Sequence, residues 1–424
     1  MNRWEVVRDP LWNNIRLDRD ALGVVDTPPF QRLRYIRQLG HAFLVYPGAT
    51  HTRFEHALGA YDLARRVLTQ LDDILGRPVV SSEVALRLKL AALLHDIGHY
   101  PFSHALEEAG LPHHEWLAAR HLSAEALARA LEDAGVSATD LLSLIRGESA
   151  GPLGGIVSGS LDVDKLDYLS RDALACGVPY GIIDVDRLLA SLTIVPGTDP
   201  PTLGLTEKGL APLESLLFAK YQMYRNVYWH HAVRAATVMF KRLVRRALAD
   251  HRIDADAVAL ATDDGLIHDL QQRDTTGLAR ALRERRLAKR VLDIHATDLP
   301  ASPAEWPARS PELLERVEDR CAREVGLAPG ELFLDFPVKP GMLDVEVPLV
   351  TRHGGVIPLR GTTAGPHLGL PRVAAELYRA AQRLRVFTLR PATVPAGAVV
   401  GLLELSEDEV RQRLAADTPL VSSA

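Results

Sequence analysis

Apolar residues recur at helical spacing through most of the first 250 positions of the chain. Between 54 and 75 they form one long stripe, and it is followed by Gly76 and Pro78, residue types that end helices. Residues 82–97 are apolar on almost every side, which predicts a central, buried helix. Helical spacing also recurs in four later segments, at 114–133, 161–174, 207–249 and 277–290.

The first 40 residues contain two shorter elements. Alternation over 4–17, with turn residues at Asp9-Pro10 and Asn13-Asn14, predicts a short β-hairpin. Asp26-Thr27-Pro28-Pro29 predicts a helix start. The backbone N–H groups of the first helical turn have no partner within the helix, and proline has no N–H group, so it fits there without loss. The apolar residues that follow keep helical spacing to Gly40, so we expect the helix to end there.

The pattern changes after about residue 250. The segment 250–290 is highly charged, and 299–310 is a proline-rich connector. Alternating and β-branched runs then predict strands at 331–338, 343–350, 354–359 and 385–389. We therefore predict a mainly α protein in three parts. They are a helical core with the N-terminal hairpin at 1–250, a charged helical segment and connector at 251–310, and a smaller α+β region at 311–424.

The composition narrows the class of protein. Of the 424 residues, 47% are hydrophobic and 24% charged, so the chain is not mainly disordered or fibrous. A net charge of −5 excludes a global basic field for nucleic acid, so a local cluster has to bind any phosphate-bearing partner. Two cysteines cannot form a disulfide framework, and the apolar runs fall far short of the about 20 residues of a membrane span. Because the N-terminus also lacks an apolar signal-peptide core, we expect a cytoplasmic protein without a membrane partner.

Histidine is concentrated in one part of the chain, since nine of the 16 histidines lie between 41 and 121. His95-Asp96 ends the apolar helix, where glycine and proline let the chain turn so that both side chains can reach one cation. With His56 and Asp164, each near a predicted helix start, they make a set of two imidazoles and two carboxylates. Such a set suits Mn, Fe, Mg, Ni or Zn and leaves positions open for water or phosphate oxygens. A His–Asp pair in a core can also be a plain hydrogen-bonded feature.

More titratable groups follow this pair. His99 and His104 come next, Glu107 lies one turn beyond, and His113-His114-Glu115 follows. An ordinary structural helix has no reason to place so many titratable groups beside an apolar segment. Groups with pKa values near 6.5 beside a metal are what proton transfer at neutral pH requires.

Four motifs stand in order along the chain, namely PGATHTRFEHALG at 47–59, LAALLHDIGHYPFSH at 90–104, HHE at 113–115 and LDVDKLDYLSRD at 161–172. Together they resemble the motifs of the HD-domain deoxynucleoside triphosphate triphosphohydrolases. That group includes the dGTPase-like bacterial enzymes and the animal SAM-and-HD-domain dNTPase. The resemblance spans residues 5–235, and DTPPFQRLRYIRQLG at 26–40 also matches that group closely. It implies water attack on the α-phosphorus of a dNTP, with release of the deoxynucleoside and intact triphosphate.

The resemblance also implies roles for individual residues. We expect His104, aligned by Glu107, to handle the proton at the ester oxygen, while His99 and His114 neutralise phosphate charge. These four residues form the implied catalytic group. The implied metal ligands are His56, His95, Asp96 and Asp164. The implied substrate-binding residues are Gln38, Leu39, Arg53, Asp162, Lys165, Tyr168, Asp172 and Arg225.

Within the substrate set, the resemblance assigns a part of the nucleotide to most residues. Tyr168 would pack under the deoxyribose and exclude a 2′-hydroxyl, and Asp172 would bind the 3′-hydroxyl. Gln38 and Leu39 would meet the base and the sugar edge. The phosphates would be held by Arg53, Lys165 and Arg225.

Asp26, Gln31 and Arg34 match residues that bind an activating guanine nucleotide at a subunit interface in part of the family. A capped helix start with an exposed polar face explains these three residues equally well. The resemblance leads us to expect a dNTP substrate and a homo-oligomer, whether dimer, tetramer or hexamer. We also expect a divalent metal, manganese first, with iron, magnesium, nickel, cobalt or zinc as alternatives.

Two other functions stay open at this point. One is an HD phosphohydrolase that acts on a nucleoside monophosphate, an oligonucleotide or an alarmone, since the same metal and histidines would serve all three. The other is a nucleotide- or nucleic-acid-binding regulator with a vestigial site. Single-stranded nucleic acid would be its partner, although no feature of the sequence indicates one.

Overall fold

Helices dominate the computed structural model, which describes residues 4–148, 153–339, 341–360 and 367–421. The prediction of a mainly α protein with an N-terminal hairpin and a C-terminal α+β region is confirmed. The helices within the described residues are α1 (Arg19–Val25), α2 (Pro28–Gln31), α3 (Arg53–Leu75), α4 (Ser82–Leu94), α5 (His114–Leu122), α6 (Glu125–Asp133), α7 (Ala138–Ile145), α8 (Val163–Cys176), α9 (Val185–Leu189), α10 (Leu210–Met223), α11 (His231–Ala249), α12 (Ala255–Leu260), α13 (Asp263–Arg273), α14 (Leu278–Arg283), α15 (Trp306–Arg309), α16 (Pro311–Glu324), α17 (Leu370–Ala381), α18 (Ala396–Leu402) and α19 (Glu407–Ala415). The strands within the same residues are β1 (Trp4–Asp9), β2 (Asn13–Asp18), β3 (Leu192–Ile194), β4 (Leu203–Thr206), β5 (Lys289–His295), β6 (Leu332–Asp335), β7 (Glu346–Val350), β8 (Val356–Arg360) and β9 (Arg383–Thr388).

These strands form three small sheets. β1 and β2 make the predicted antiparallel hairpin, with Trp4 opposite Asp18 and Asp9 opposite Asn13. β5, β9 and β6 lie side by side in that order and are antiparallel. In the four-stranded sheet β3-β4-β7-β8, β4 pairs with β7 in parallel. A strand from the C-terminal region is therefore built onto a strand that precedes α10.

The helix expected up to Gly40 is shorter than predicted. α2 ends at Gln31, and a 3₁₀ turn continues the coil only to Tyr35. The carbonyl of Ile36 then accepts a hydrogen bond from the Arg53 amide at 2.9 Å. Contacts with the chain at the start of α3 therefore replace the helical hydrogen bonds that the apolar spacing predicted.

Three other predicted helices are interrupted. The segment 114–133 forms α5 and α6, and 207–249 forms α10 and α11 with a π-helical turn at Tyr224–Tyr228 between them. The segment 277–290 forms only α14, because β5 begins at Lys289 and pairs with β9. Tertiary pairing thus decides the elements where the local pattern alone favours a helix.

α3 is the central helix, and it packs against α4 on one side and α8 on another. Tyr61, Leu63 and Leu71 of α3 are fully buried, and burial of each large apolar side chain contributes about 1.5–3 kcal/mol. Gly59 allows α8 to come close, since a Cβ at this position would lie 1.8 Å from a carboxylate oxygen of Asp167. This close approach sets the start of α8 beside the first turns of α3. None of the helices in the described part of the chain combines the length and apolar character that crossing a bilayer requires.

Candidate active site

Three helix termini converge on the first part of the site. α3 begins with a capping box, which fixes the turn that carries His56. α4 ends directly before His95-Asp96, so both side chains leave the helix at its C-terminus. The side chain of Asp162 caps α8 and places Asp164 in the first turn of that helix.

The four predicted metal ligands meet at this point. His56 Nε2 lies 3.1 Å from His95 Nε2 and 3.1 Å from Asp164 Oδ1. Asp96 reaches both rings, at 3.5 Å from His56 Nε2 and 3.4 Å from His95 Nε2. Two imidazoles and two carboxylates that are far apart in sequence therefore form one cluster.

The donor atoms of this cluster fit a divalent cation. His95 Nδ1 donates to the Ala92 carbonyl at 2.8 Å, and His56 Nδ1 donates to the Asp167 carboxylate at 2.7 Å. Because these oxygens only accept, each neutral ring presents a lone pair at Nε2. Two lone pairs that face each other beside two carboxylates need a positive charge between them. This donor set of two nitrogens and two oxygens is one that divalent transition metals accept.

The charges in the cluster lead to the same conclusion. Burial disfavours a charge on His56, but Asp164, Asp167 and Asp96 outweigh it and raise the pKa of His56 to about 10. Burial also acts against the charge on Asp96, yet the Arg53 guanidinium and nearby histidines hold the pKa of that carboxyl well below its usual range. The cluster therefore concentrates negative charge that attracts a cation.

A buried chain of hydrogen bonds that was not predicted from the sequence lies behind His56. Asp167 accepts from His56, from Arg171 Nε at 2.8 Å and from Trp12 Nε1 at 2.5 Å. Arg171 also donates to Asp9 at 2.8 Å. A carboxylate in this position fixes the orientation and tautomer of a metal-binding histidine. The available signal was the four-residue spacing of Asp167 and Arg171, which puts them on one helix face.

The predicted catalytic group forms a second cluster beside the first. Glu107 joins two imidazoles, with one oxygen 2.8 Å from His104 Nδ1 and the other 2.5 Å from His114 Nδ1. His114 stacks on His99 with ring centroids 3.7 Å apart, and His99 Nε2 lies 3.2 Å from Asp96. Asp96 thus links the two clusters, and His104 is the exposed member, with 57% of its side chain accessible.

Burial sets the protonation states in this second cluster. It lowers the pKa of His99 well below its usual value, with Arg53 and His114 adding to the effect. It also lowers the pKa of His114, although Glu107 opposes it. Burial disfavours a charged Glu107, but the bonds from His104 and His114 outweigh it and hold the pKa of that carboxyl far below its usual range. At neutral pH, His99 is neutral and Glu107 is ionised.

The loop that carries His104 has a strained backbone, and a side chain from a later helix holds it by hydrogen bonds. Phe102 and Ser103 have φ values of 57° and 58°, in the left-handed region that non-glycine residues rarely adopt. Asp263, at the start of α13, accepts from the Phe102 amide at 2.7 Å and from the Arg37 amide at 3.0 Å. Asp263 lies in the highly charged segment after residue 250, and no motif or spacing marked it.

Both clusters open into one cavity of about 730 Å³, a size typical of ligand sites. Asp172 accepts from the Tyr228 hydroxyl at 2.8 Å and lies 2.8 Å from His51 Nε2. Gln38 Oε1 is buried and has no hydrogen-bond partner among the described residues. Seven of the predicted substrate residues line this cavity, namely Gln38, Leu39, Arg53, Asp162, Lys165, Tyr168 and Asp172.

Lys220 of α10 lines the same cavity and was not predicted. It is buried, and its ammonium group has no hydrogen-bond or ion-pair partner within the described part of the chain. Burial, together with the neighbouring Lys165 and Lys339, lowers the pKa of Lys220 to about 8 against the opposing effect of Asp162 and Asp164. A buried cation among other cations is stabilised by an anionic ligand.

Arg225, a predicted phosphate ligand, lies elsewhere. It is exposed, stands outside the lining of the cavity and donates to the Tyr221 hydroxyl at 2.7 Å. It belongs to the π-helical turn that follows α10. The wider turn directs Tyr224 and Tyr228 into the cavity instead.

The three predicted activator residues also lie away from the cavity, at the surface. Gln31 Nε2 donates to the Val25 carbonyl at 2.8 Å, and Arg34 Nε donates to Gln31 Oε1 at 2.7 Å. Arg34 lies over the Phe54 ring, 3.4 Å from its centroid. Asp26 is exposed at the end of α1.

Two family models match this chain. The HD domain model covers residues 53–172, which hold both clusters, and the HD associated region model covers residues 183–364, which include Lys220 and Asp263. An uncharacterized protein of Methanocaldococcus jannaschii, MJ1154, is 32% identical over 353 residues. That match covers 82% of this chain and 73% of the archaeal protein.

Proteins whose names state an activity match this chain at lower sequence identity. The human deoxynucleoside triphosphate triphosphohydrolase SAMHD1 is 28% identical over 262 residues, which cover 53% of this chain and 42% of the human protein. The chain therefore spans less than half of that relative. A crystal structure of a phosphohydrolase from Bacteroides thetaiotaomicron has a TM-score of 0.71 at 22% identity and covers 91% of this chain and 100% of its own. At that identity the likeness concerns the fold.

Proposed function

The chain belongs to the family of HD-domain proteins that carry an HD-associated region, and from this premise we propose that it hydrolyses deoxynucleoside triphosphates to a deoxynucleoside and triphosphate. The HD domain and its His–Asp cluster support the coarser assignment, a metal-dependent phosphohydrolase. One observation carries the finer assignment. The cation-fitting cluster, two lysines and the Tyr168–Asp172 pair all open into a single cavity.

His56, His95, Asp96 and Asp164 would hold the metal, with manganese as the first candidate. A divalent metal held there would supply Lewis-acid polarisation of the α-phosphate and of the attacking water. Asp167 keeps the His56 ring in place before any ligand binds, because its carboxylate accepts from His56 Nδ1.

Three cations of this chain are suited to the phosphates. Arg53 is 4% exposed and donates to Asp96 at 2.5 Å, so its guanidinium stands at the edge of the metal cluster. Lys165 is held by the Asp162 carboxylate and by the Gly159 carbonyl. We place Lys220 beside Lys165 in this role, where Arg225 was expected, because triphosphate charge would offset the repulsion between the two lysines.

The sugar is matched by two residues on one face of α8. Tyr168 and Asp172 are one turn apart, and both line the cavity. The Asp172 carboxylate already accepts from Tyr228, and its remaining lone pairs can accept from a 3′-hydroxyl. The Tyr168 ring would fill the space that a 2′-hydroxyl needs, which would select deoxyribose.

The proton step falls to His104 and Glu107. Water adds to the α-phosphorus, the bond from phosphorus to the 5′-oxygen breaks, and the leaving oxygen takes a proton from His104. The attacking water becomes a phosphate oxygen of the triphosphate and releases its proton to solvent, from which His104 is protonated again. Glu107 accepts from His104 Nδ1 at 2.8 Å, so it holds the orientation of the ring. His99 and His114 stack beside it, where they would meet phosphate oxygens.

Product analysis by anion-exchange chromatography tests this proposal. The purified protein is incubated with Mn²⁺ and each dNTP and NTP, beside an Asp96→Ala variant and an Asp133→Ala control on the exposed face of α6. We expect deoxynucleoside plus triphosphate from dNTPs, an unchanged result with Asp133→Ala and no product with Asp96→Ala. Intact dNTPs in the presence of bound metal would refute the proposal.

A second candidate substrate class is a nucleoside monophosphate or an oligonucleotide. The position of Arg225 favours it, because the resemblance assigns Arg225 to the triphosphate and this residue lies outside the cavity lining. The same chromatography, run with deoxynucleoside monophosphates and short oligonucleotides, would then show free phosphate or released nucleotides in place of triphosphate.

We further propose that the protein is a homo-oligomer in which Asp26, Gln31 and Arg34 bind an activating nucleotide. All three residues are at the surface, Arg34 donates a hydrogen bond to Gln31, and the Arg34 guanidinium lies over the Phe54 ring. Light scattering after size exclusion, with and without GTP, measures the assembly. Turnover of a dNTP only in nucleotide mixtures, lost in Arg34→Ala, is the expected sign of activation.

A further inference from the structure

One buried histidine near the start of α3 belongs to neither cluster. His51 lies two residues before that helix, and its side chain is 8% exposed. Its Nε2 atom lies 2.8 Å from Asp172 Oδ1. We propose that His51 is a positioning residue, which holds the Asp172 carboxylate in the orientation that accepts the 3′-hydroxyl of the substrate. This role rests on the proposed function, in which Asp172 binds the sugar.

The His51 ring makes its one hydrogen bond within the described residues to Asp172. Because a carboxylate oxygen only accepts, Nε2 carries the proton of this bond. Nδ1 is buried and has no partner in the same part of the chain. A buried polar atom without a partner costs free energy, and an apolar side chain of similar size would avoid that cost. The hydrogen bond to Asp172 therefore explains why an imidazole occupies this position.

Asp172 is held from two sides. His51 donates to Oδ1, and the Tyr228 hydroxyl donates to Oδ2 at 2.8 Å. One donor on each oxygen fixes the plane of the carboxylate and leaves a lone pair on each oxygen for a further donor. Asp172 and Tyr228 line the cavity, whereas His51 lies outside the lining. His51 therefore acts on a ligand through Asp172, whose orientation is set before the ligand binds.

The backbone of His51 is fixed by the segment that carries Gln38. The His51 carbonyl accepts from the Gln38 amide at 3.0 Å, and the Ile36 carbonyl accepts from the Arg53 amide at 2.9 Å. These two hydrogen bonds place His51 between two residues of the cavity lining, Gln38 and Arg53. The ring that holds Asp172 is thus anchored to the same short stretch of chain as the residues proposed to meet the sugar edge and the phosphates.

The test compares nucleotides that differ only at the 3′-position. KM is measured in Mn²⁺ for the four dNTPs and for their 2′,3′-dideoxy analogues. In wild type we expect KM to be about 10–100-fold higher for the dideoxy analogues, the difference typical of one hydrogen bond to a charged group. In His51→Leu the carboxylate loses one of its two donors, so this ratio should fall to within about twofold of one. His51→Gln keeps a side-chain N–H and should keep the wild-type ratio.

The matched control is His121→Leu. His121 is also buried, but it lies outside the cavity lining, so the wild-type ratio is expected to remain. Circular dichroism confirms that each variant is folded. Isothermal titration calorimetry with the four deoxynucleosides and their 3′-deoxy analogues measures the same preference without any reaction.

An unchanged ratio in His51→Leu, or an equal fall in His121→Leu, would overturn the role of His51, because a histidine with a purely structural role affects both nucleotides alike. Equal losses in His51→Gln and His51→Leu would also overturn it, since the glutamine retains the donor. A protein that hydrolyses no dNTP but binds deoxynucleosides with a 3′-hydroxyl preference that depends on His51 would contradict the proposed function and leave the role of His51 intact.

Discussion

Two walls of the cavity differ in how their charges are balanced. The helical wall consists of His56, His95, Asp96 and Asp164 with Asp167 and Arg171 behind them, and every charge in it has a close partner. The distal wall consists of Lys220, Arg234, Lys241 and Asp335. There Arg234 donates to Asp335 at 2.6 Å and to Glu108 at 2.8 Å, whereas Lys220 has no partner within the described residues.

The difference shows what each wall can bind. In the helical wall most of the charge is on carboxylates, so a bound cation would balance it. In the distal wall an unpaired lysine lies near Lys165 and Lys339, so the group that completes it is an anion. A metal phosphate, such as a metal-bound nucleotide, brings both charges at once.

The largest effect is expected from breaking the buried network of the helical wall. Arg171→Met would leave Asp9 and Asp167 as buried carboxylates without their cation. Removing one partner of a buried pair costs about 3–5 kcal/mol of unfolding free energy. Urea unfolding followed by circular dichroism measures it.

The matched control is Arg129→Met. Arg129 pairs with Glu125 one turn away, but both side chains are exposed, so the expected loss is below about 1 kcal/mol. Equal losses in the two variants would mean that the network behind His56 contributes no more than a surface pair. We also expect metal affinity to fall by about 10–100-fold in Arg171→Met alone.

The four residues of the metal cluster in the helical wall were accessible from sequence because they stand beside strong helix boundaries, whereas Asp167 and Arg171 behind them were missed. His95-Asp96 follows an apolar helix that the pattern predicted, and α3 and α8 also formed close to where they were expected. The distal wall was not accessible in this way. Lys220 lies in a mostly apolar helix with no motif around it, and the π-helical turn after it changes which side chains face the cavity. Arg225 was expected because the resemblance assigns it to the phosphates, whereas no resemblance or spacing marks Lys220.

The next effect concerns the loop that joins the two walls. Asp263→Asn retains the shape of the side chain but offers one accepting oxygen where the Phe102 and Arg37 amides now have two. A buried amide without a partner costs about 1–3 kcal/mol. Because this loop carries His104, we expect the turnover number to fall by about 10–100-fold.

Metal content and KM separate this positioning role from general unfolding. Both should stay within twofold of wild type in Asp263→Asn, since Asp263 is not a member of the metal cluster and does not itself line the cavity. Asp264→Asn, at the exposed neighbouring position, is expected to change nothing. A similar loss of turnover in both variants would contradict the role assigned to Asp263.

A smaller effect is expected in the pH dependence of stability. His41 is stacked on Phe102 at 4.4 Å and lies 5.0 Å from Phe240. Burial, with Arg37, lowers the pKa of His41 to about 3. Below pH 6.5 the unfolded chain therefore binds a proton that the folded chain does not, and stability falls as the pH falls toward 3. The loss from this one group is about 2 kcal/mol between pH 7 and pH 5.

His41→Phe removes the titratable imidazole and keeps an aromatic ring at this position. Urea unfolding at pH 7 and pH 5 should show a loss that is about 2 kcal/mol smaller in His41→Phe than in wild type. His268→Phe, at an exposed position of α13, should keep the wild-type difference. The proposal that His41 is neutral in the fold fails if the two variants lose stability equally.

The smallest effect distinguishes the two candidate phosphate ligands on either side of the π-helical turn. Lys220→Met removes a buried cation from the cavity lining, and Arg225→Met removes an exposed one that only contacts Tyr221. We expect KM for a dNTP to rise about tenfold in Lys220→Met, which corresponds to about 1.4 kcal/mol of binding free energy. Arg225→Met should stay within about twofold, since an exposed cation away from the substrate contributes little. Lys220→Arg should recover most of the loss, because the charge is restored.

The pH dependence gives a second measurement. In wild type, kcat/KM should fall above about pH 8, where Lys220 of the free protein loses its proton, and this fall should be absent in Lys220→Met. A larger effect from Arg225 would mean that substrate binding rearranges the turn, and that the distal wall binds phosphate only after this change.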